Sequence, residues 1–138
     1  MGRRTVTSVL LDTHAWTWSL TGDARFSSGA TAAVMEAEAV FVSAISLFEI
    51  GQKVRLRKWP EMEPFLHRLI DLAAEQGAHL IPISSEASLL AATLEWAHRD
   101  PFDRIIAATT MVRGLTLISA DTAFDALPVE PKWPGRIW

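Results

Sequence analysis

The sequence predicts an α/β fold, a sandwich around a mainly parallel sheet, and three observations lead there. Short apolar runs at residues 8–11, 40–43, 79–83 and 115–119 have strand length. The stretches between them are longer and carry apolar residues at helical spacing. Strands that alternate with helices need crossover connections, and crossovers build parallel sheets. Finally, 49% hydrophobic and 21% charged residues in a chain of 138 suffice for one buried core, so residues 1–138 read as a single domain.

Each element follows from local signals. After Asp12 a helix runs to Leu20, stopped by Thr21-Gly22-Asp23. Ser27 or Ser28 caps an alanine-rich helix reaching about Ala37. Ser46 is placed as the cap of "LFEIGQKVRLRK", because Glu49 three positions on completes a capping box. Pro60 closes that helix or lies just past it, and Pro64 opens the next, which ends at Gln76-Gly77. Further helices are expected over 85–97 and 101–113, the second ended by Gly114, with a short one from Asp121. The tail "VEPKWPGRIW" reads as extended chain or loop. No internal repeat or low-complexity linker interrupts the chain.

The totals also exclude chemistry. With no cysteine there is no disulfide scaffold, thiolate zinc site or cysteine nucleophile, which suits a reducing cytoplasm. The apolar run after Met-Gly-Arg-Arg is too short for a signal peptide or a membrane span, and Val6 stands where myristoylation needs Ser or Thr. A cytoplasmic protein without membrane contact is the expectation. Sixteen acids against thirteen bases give a net charge of −3, so a polyanionic partner would need a local basic patch or bound cations.

The acids carry the functional signal. Asp12 follows "SVLL" directly, Glu49 lies within two helical turns of "VFVS", and Asp121 follows "LTLIS" with one residue between. In open α/β sheets ligands bind beyond the carboxyl ends of the strands, so three strands deliver an acid to one edge. Asp103, in the first turn of the helix before the last of these strands, can face the same place. Asp100, ahead of Pro101, reads first as a helix cap; for Asp103 the local pattern leaves capping and ligation equally open.

Carboxylates at ~5 Å repel by about 3 kcal/mol per pair at an effective dielectric near 20. Several such pairs rival a domain's whole stability, so the four must be spread apart, partly protonated or neutralised by a cation. Oxygen ligands suit Mg²⁺ or Mn²⁺ rather than zinc, and such an ion can activate water toward phosphorus.

Four segments, "LLDTHAWTW" at 10–18, "VSAISLFEIGQK" at 42–53, "HRDPFDRIIAATT" at 98–110 and "LTLISADTAFDAL" at 115–127, resemble in order those of PIN-domain ribonucleases, specifically VapC-type toxins. The resemblance implies a three-layer α/β/α sandwich, often homodimeric, cutting structured RNA such as transfer or ribosomal RNA with Mg²⁺ or Mn²⁺. It assigns Asp12, Glu49, Asp103 and Asp121 to the catalytic, metal-holding quartet, with Thr13 as polar neighbour and Asp100 as a secondary candidate. It also implies a VapB-like antitoxin that covers the site.

Lys53, Arg55, Arg57 and Lys58 are either a solvated helix end or an RNA- or antitoxin-binding rim. Trp16 reads as core or interface packing ahead of base stacking, and Trp133 and Trp138 as packing on the domain or on a partner. None of the histidines 14, 67, 79 and 98 has metal-binding spacing; His14, two residues after Asp12, is a weak candidate to contact RNA, its side chain being expected to point away from the acid's. Ser43 and Ser119, at strand ends, are candidates to hydrogen-bond the acids. The competing functions are a non-catalytic PIN-like binding module and an aspartate-nucleophile phosphatase. The latter wants a second Asp two residues after the first, where this chain has His14.

Overall fold

The computed structural model describes residues 7–128 and 133–138. Its sheet has five parallel strands in the order β3-β2-β1-β4-β5: β1 (Val9–Leu11), β2 (Val40–Ser43), β3 (His79–Ile81), β4 (Thr116–Ile118) and β5 (Arg136–Ile137). The helices are α1 (Thr13–Thr21), α2 (Ser28–Glu36), α3 (Ala44–Arg55), α4 (Leu69–Gln76), α5 (Ser85–Thr93) and α6 (Pro101–Arg113). The 3-10 segments Pro60–Arg68 and Thr122–Ala126 complete the described chain. The expected mainly parallel α/β/α sandwich is what forms.

Alternation along β1 explains the three layers. Val9 and Leu11 face one side with Val42 and Ile118, packing on Trp16, Ile50, Met62, Leu69 and Ala73. Leu10 faces the other with Leu117, packing on Ile45, Ile106, Ala107 and Phe124. Helices α1, α2 and α4 therefore cover one face, and α5 and α6 the other. Ala87, Ala91 and Ala108 let α5 and α6 approach closely. Trp16 is fully buried and donates its indole N–H to Gln76 (3.0 Å), so it is a core residue.

The chain lays β2 and β3 on one side of β1, then crosses back to put β4 on the other. The order thus reverses between β1 and β4, the switch point at which the loops diverge and leave a crevice. Asp12 and Asp121 follow the two strands flanking it.

Several boundaries depart from expectation for identifiable reasons. The cap of α3 is Ser43, whose hydroxyl accepts from the Ile45 N–H (3.1 Å); β2 runs into the helix without a loop. Ser46 is therefore inside the helix, buried and hydrogen-bonded to Thr13 (2.8 Å), and no capping box with Glu49 forms. Pro60 and Pro64 both lie in one 3-10 segment, and α4 starts only at Leu69. Helix α5 stops at Thr93, leaving 94–97 outside it. Ser27, not Ser28, caps α2. The tail supplies β5, a strand the sequence did not announce, while 129–132 lie outside the described residues.

Trp138 packs edge-on against Trp18 and Phe26, and Trp133 packs into the α6 side of the core. A Cβ on Gly29 would stand 2.9 Å from the Trp138 carbonyl oxygen. Gly29→Ala should therefore displace the tail and lower stability by about 1–2 kcal/mol. Urea denaturation checks this; an unchanged midpoint would show that the tail adds nothing to the fold.

Candidate active site

Asp12, Glu49, Asp103 and Asp121 all line one cavity of about 480 Å³ at the carboxyl end of the sheet. Four elements deliver them. Asp12 caps α1, accepting from the Ala15 N–H at 2.9 Å, which fixes its carboxylate where β1 ends. Glu49 projects from α3, 3% exposed. Asp103 stands in the first turn of α6, and Asp121 caps the 3-10 segment after β4 through the Ala123 N–H (2.9 Å).

Asp100 does cap α6, accepting from Phe102 N–H (2.8 Å) and Asp103 N–H (3.3 Å), yet it also lines the cavity. Thr13 does not: it lies beneath, tied to Ser46. Ser119 accepts from the Asp121 N–H (3.0 Å) and, with the Ala15 N–H, favours the charged form of Asp12. Ser43 serves α3 as its cap, so the acid-binding duty expected of it is not seen.

Burial dominates the electrostatics. Asp12 is 7% exposed, and desolvation pushes its carboxyl up to about 6 despite the hydrogen bonds from Ser119 and Ala15; Asp103 and Glu49 add repulsion. Desolvation also raises Asp103 to about 6, against the pull of His98, while Asp100 and Glu49 repel. Glu49 has one oxygen 2.5 Å from Lys53 Nζ, and its buried Oε1 has no hydrogen-bond partner among the described residues. A carboxylate oxygen rarely stays buried and unpaired. Among the described residues, five acids share the cavity with Arg25 and Lys53 as the full cations.

These features fit a divalent cation: a buried carboxylate oxygen left unpartnered among the described residues, two acids whose charged forms burial disfavours, and oxygen donors. One oxygen each of Asp103 and Asp121 and one nitrogen of His98 lie within 4.8 Å of one another, a group that could hold a metal ion. His98 Nε2 is also 2.7 Å from Asp103 Oδ2, which suits it to orient that carboxylate.

Ligand spacing such as HExxH does not mark His98; its signal in the sequence is its place ahead of a Pro-started helix whose first turn holds Asp103. His14, contrary to expectation, shares the acid cavity with Asp12. Trp18 and Arg25 line it as well, and nothing in their sequence surroundings marked them. The basic cluster divides: Lys53 enters the cavity, while Arg55, Arg57 and Lys58 are exposed beyond it. Arg57 adopts a left-handed conformation (φ 59°) where α3 ends, which gives it a local structural duty.

The PIN-domain family model matches residues 9–130, nearly all of the described fold. The chain belongs to the PIN-domain family. Within it, the chain is 32% identical over 116 residues to Ribonuclease VapC22 of Mycobacterium tuberculosis, an alignment covering 84% of this chain and 88% of that one. It is thereby of the VapC type. Among solved structures, VapBC2 of Rickettsia felis bound to a promoter DNA fragment superposes with a TM-score of 0.67 at 14% identity, covering 96% of this chain and 100% of that one. VapC20 of Mycobacterium tuberculosis, a toxin that cleaves the sarcin-ricin loop, gives 0.58 at 17% identity, covering 86% and 93%. At these identities the two structures speak for the shared PIN fold. No helix among the described residues is long and apolar enough to cross a membrane.

Proposed function

We propose that this PIN-domain protein is a Mg²⁺- or Mn²⁺-dependent endoribonuclease, the toxin of a VapBC-type toxin–antitoxin pair, with residues 1–138 forming a single domain. The convergence of Asp12, Glu49, Asp103 and Asp121 from four elements on one cavity carries the reading. The kinship with Ribonuclease VapC22 supports the reaction class.

Asp12, Glu49, Asp103 and Asp121 would hold the cation between them. When bound, the cation supplies a polarised water and offsets charge on the phosphate oxygens. The chain's own groups do the rest. His98 fixes Asp103 by the 2.7 Å hydrogen bond between Nε2 and Oδ2. Ser119 sets the loop that aims Asp121. Lys53 holds Glu49 and puts its ammonium in the cavity, where it can neutralise a phosphate oxygen as the phosphodiester bond is cut.

The substrate is structured RNA, transfer or ribosomal, and the setting the cytoplasm. The solved VapBC complexes support a VapB-like antitoxin as partner, and the excess of acid in the cavity suits a basic side chain from it. The protein acts as a homodimer, and Arg55, Arg57 and Lys58 serve RNA or antitoxin binding at the rim.

The decisive experiment is RNA cleavage with and without divalent metal, comparing wild type with Glu49→Gln. Metal-dependent cleavage by the wild type alone is expected; equal products from both proteins, or undiminished cleavage in EDTA, would sink the proposal.

A further inference from the structure

Beside the acid cavity lies a second one of about 410 Å³, and the two share His14, Trp18 and Arg25 as lining. Three aromatic rings, His14, Trp18 and Trp59, line it together with the acids Asp23 and Glu61. The His14 imidazole stacks on the Trp59 indole (4.8 Å between centroids, 28° between planes) and meets Trp18 at 5.9 Å and a steeper angle. His14 is nonetheless solvent-exposed, so the stack presents an open aromatic surface.

Arg25 is held where the two cavities meet. Its guanidinium lies 4.8 Å from the Trp18 ring centroid. Asp23 accepts from its Nε (3.1 Å) and Nη2 (2.8 Å), leaving Nη1 with no hydrogen-bond partner among the described residues. The fork is thus oriented before any ligand arrives, with a free donor. Lys53, 5.6 Å from the Trp59 ring centroid, marks the acid-cavity side of the same wall.

A phosphodiester at the acids must continue into a ribose, a base and a next phosphate. The adjoining cavity offers flat π-surfaces and a preset cation, the two features that hold single-stranded nucleic acid. We infer that this second cavity is a nucleotide subsite: an unpaired RNA base stacks on the His14–Trp59 platform, and Arg25 takes the adjoining phosphate through Nη1. The inference rests on the ribonuclease reading and adds to it that the cut falls next to an unpaired, extruded base. Because stacking tolerates any base, the subsite selects for unpaired structure more than for base identity.

The test is a binding experiment in EDTA, where no metal-dependent cleavage occurs. Short unstructured oligoribonucleotides are compared with abasic strands of equal length, by tryptophan quenching and by titration. The wild type should bind base-bearing strands about tenfold tighter than abasic ones. Trp59→Leu and His14→Ala should erase that preference, and Trp59→Phe should keep most of it. Arg25→Gln should weaken both strands alike and flatten the salt dependence. Circular dichroism verifies folding; should Trp59→Leu unfold, the surface substitution His14→Ala decides. Equal affinity for the two strands, or a preference that survives His14→Ala, overturns the subsite. If metal-dependent RNA cleavage persists in that case, the nuclease reading stands without it. Loss of both binding and cleavage removes both.

Discussion

Asp12→Asn is expected to abolish cleavage and, at the same time, to make the cation-free protein more stable near pH 7. The carboxyl of Asp12 is pushed up from 3.8 to about 6 by burial, so the folded state prefers it protonated. Between those values the unfolded chain has already released the proton that the folded chain keeps. Stability therefore falls as pH rises through this window and remains lower above it. Two units correspond to about 3 kcal/mol at neutral pH. Asparagine removes the charge and can still accept from the Ala15 N–H, so the cap of α1 survives. Asp103 shifts in the same direction but is more open to solvent, and its share is smaller.

Thermal unfolding in EDTA at pH 4 and pH 7.5 measures the effect. The wild type should lose stability between the two, and the Asn variant should lose less. Mg²⁺ or Mn²⁺ should raise the wild-type midpoint at pH 7.5 and leave the variant's nearly unmoved. Cleavage by the variant should drop on the order of a hundredfold or more, the scale on which one transition-state charge stabiliser counts. A variant less stable than wild type at pH 7.5 in EDTA would mean that the buried charge is compensated within the protein.

Arg104 is the second strong case, and it lies outside the acid set. Its guanidinium donates to the carbonyls of Ala91, Trp96 and His98, each at 2.8 Å, and to that of Leu94. One side chain therefore ties the end of α5 and the following loop to α6. It also supplies positive charge at a helix C-terminus, where the dipole favours it. Arg104→Ala should cost about 3 kcal/mol or more, because several carbonyls lose a charged donor together. Lysine should rescue little, since a point ammonium cannot reproduce the planar fork.

The loop held by Arg104 carries His98, so the same variant should also weaken cleavage by loosening the contact to Asp103. Urea denaturation and RNA cleavage check the two halves. A loss below about 1 kcal/mol would show that water replaces the guanidinium without cost.

Arg104 also shows where sequence reading stops. The apolar spacing extends the α5 helix to Ala97, and helix spacing alone cannot reveal that an arginine one helix later takes the carbonyls that would continue it. The Ser46 capping box failed similarly: Ser43 and Ser46 are both good caps, and only the absence of a loop after β2 chose the first. By contrast α6 runs Pro101–Arg113 as expected, since its signals, an Asp before Pro at one end and Gly114 in a left-handed turn at the other, act within a few residues. The last strand was invisible because a pair of residues carries no periodicity; Arg136 and Ile137 become β5 only beside β4.

The sequence by itself determined the layers, the parallel sheet and the four acids at its carboxyl edge, because strand alternation, crossover length and strand-end position are written along the chain. Only the tertiary structure decided that Asp12 is buried at a cost to its charged form, that Glu49 is buried against Lys53 with one oxygen unpartnered among the described residues, that His98 joins Asp103, and that His14, Trp18, Arg25 and Trp59 form a second wall. Desolvation and ring stacking depend on which distant segments come together, and local pattern does not contain that distance.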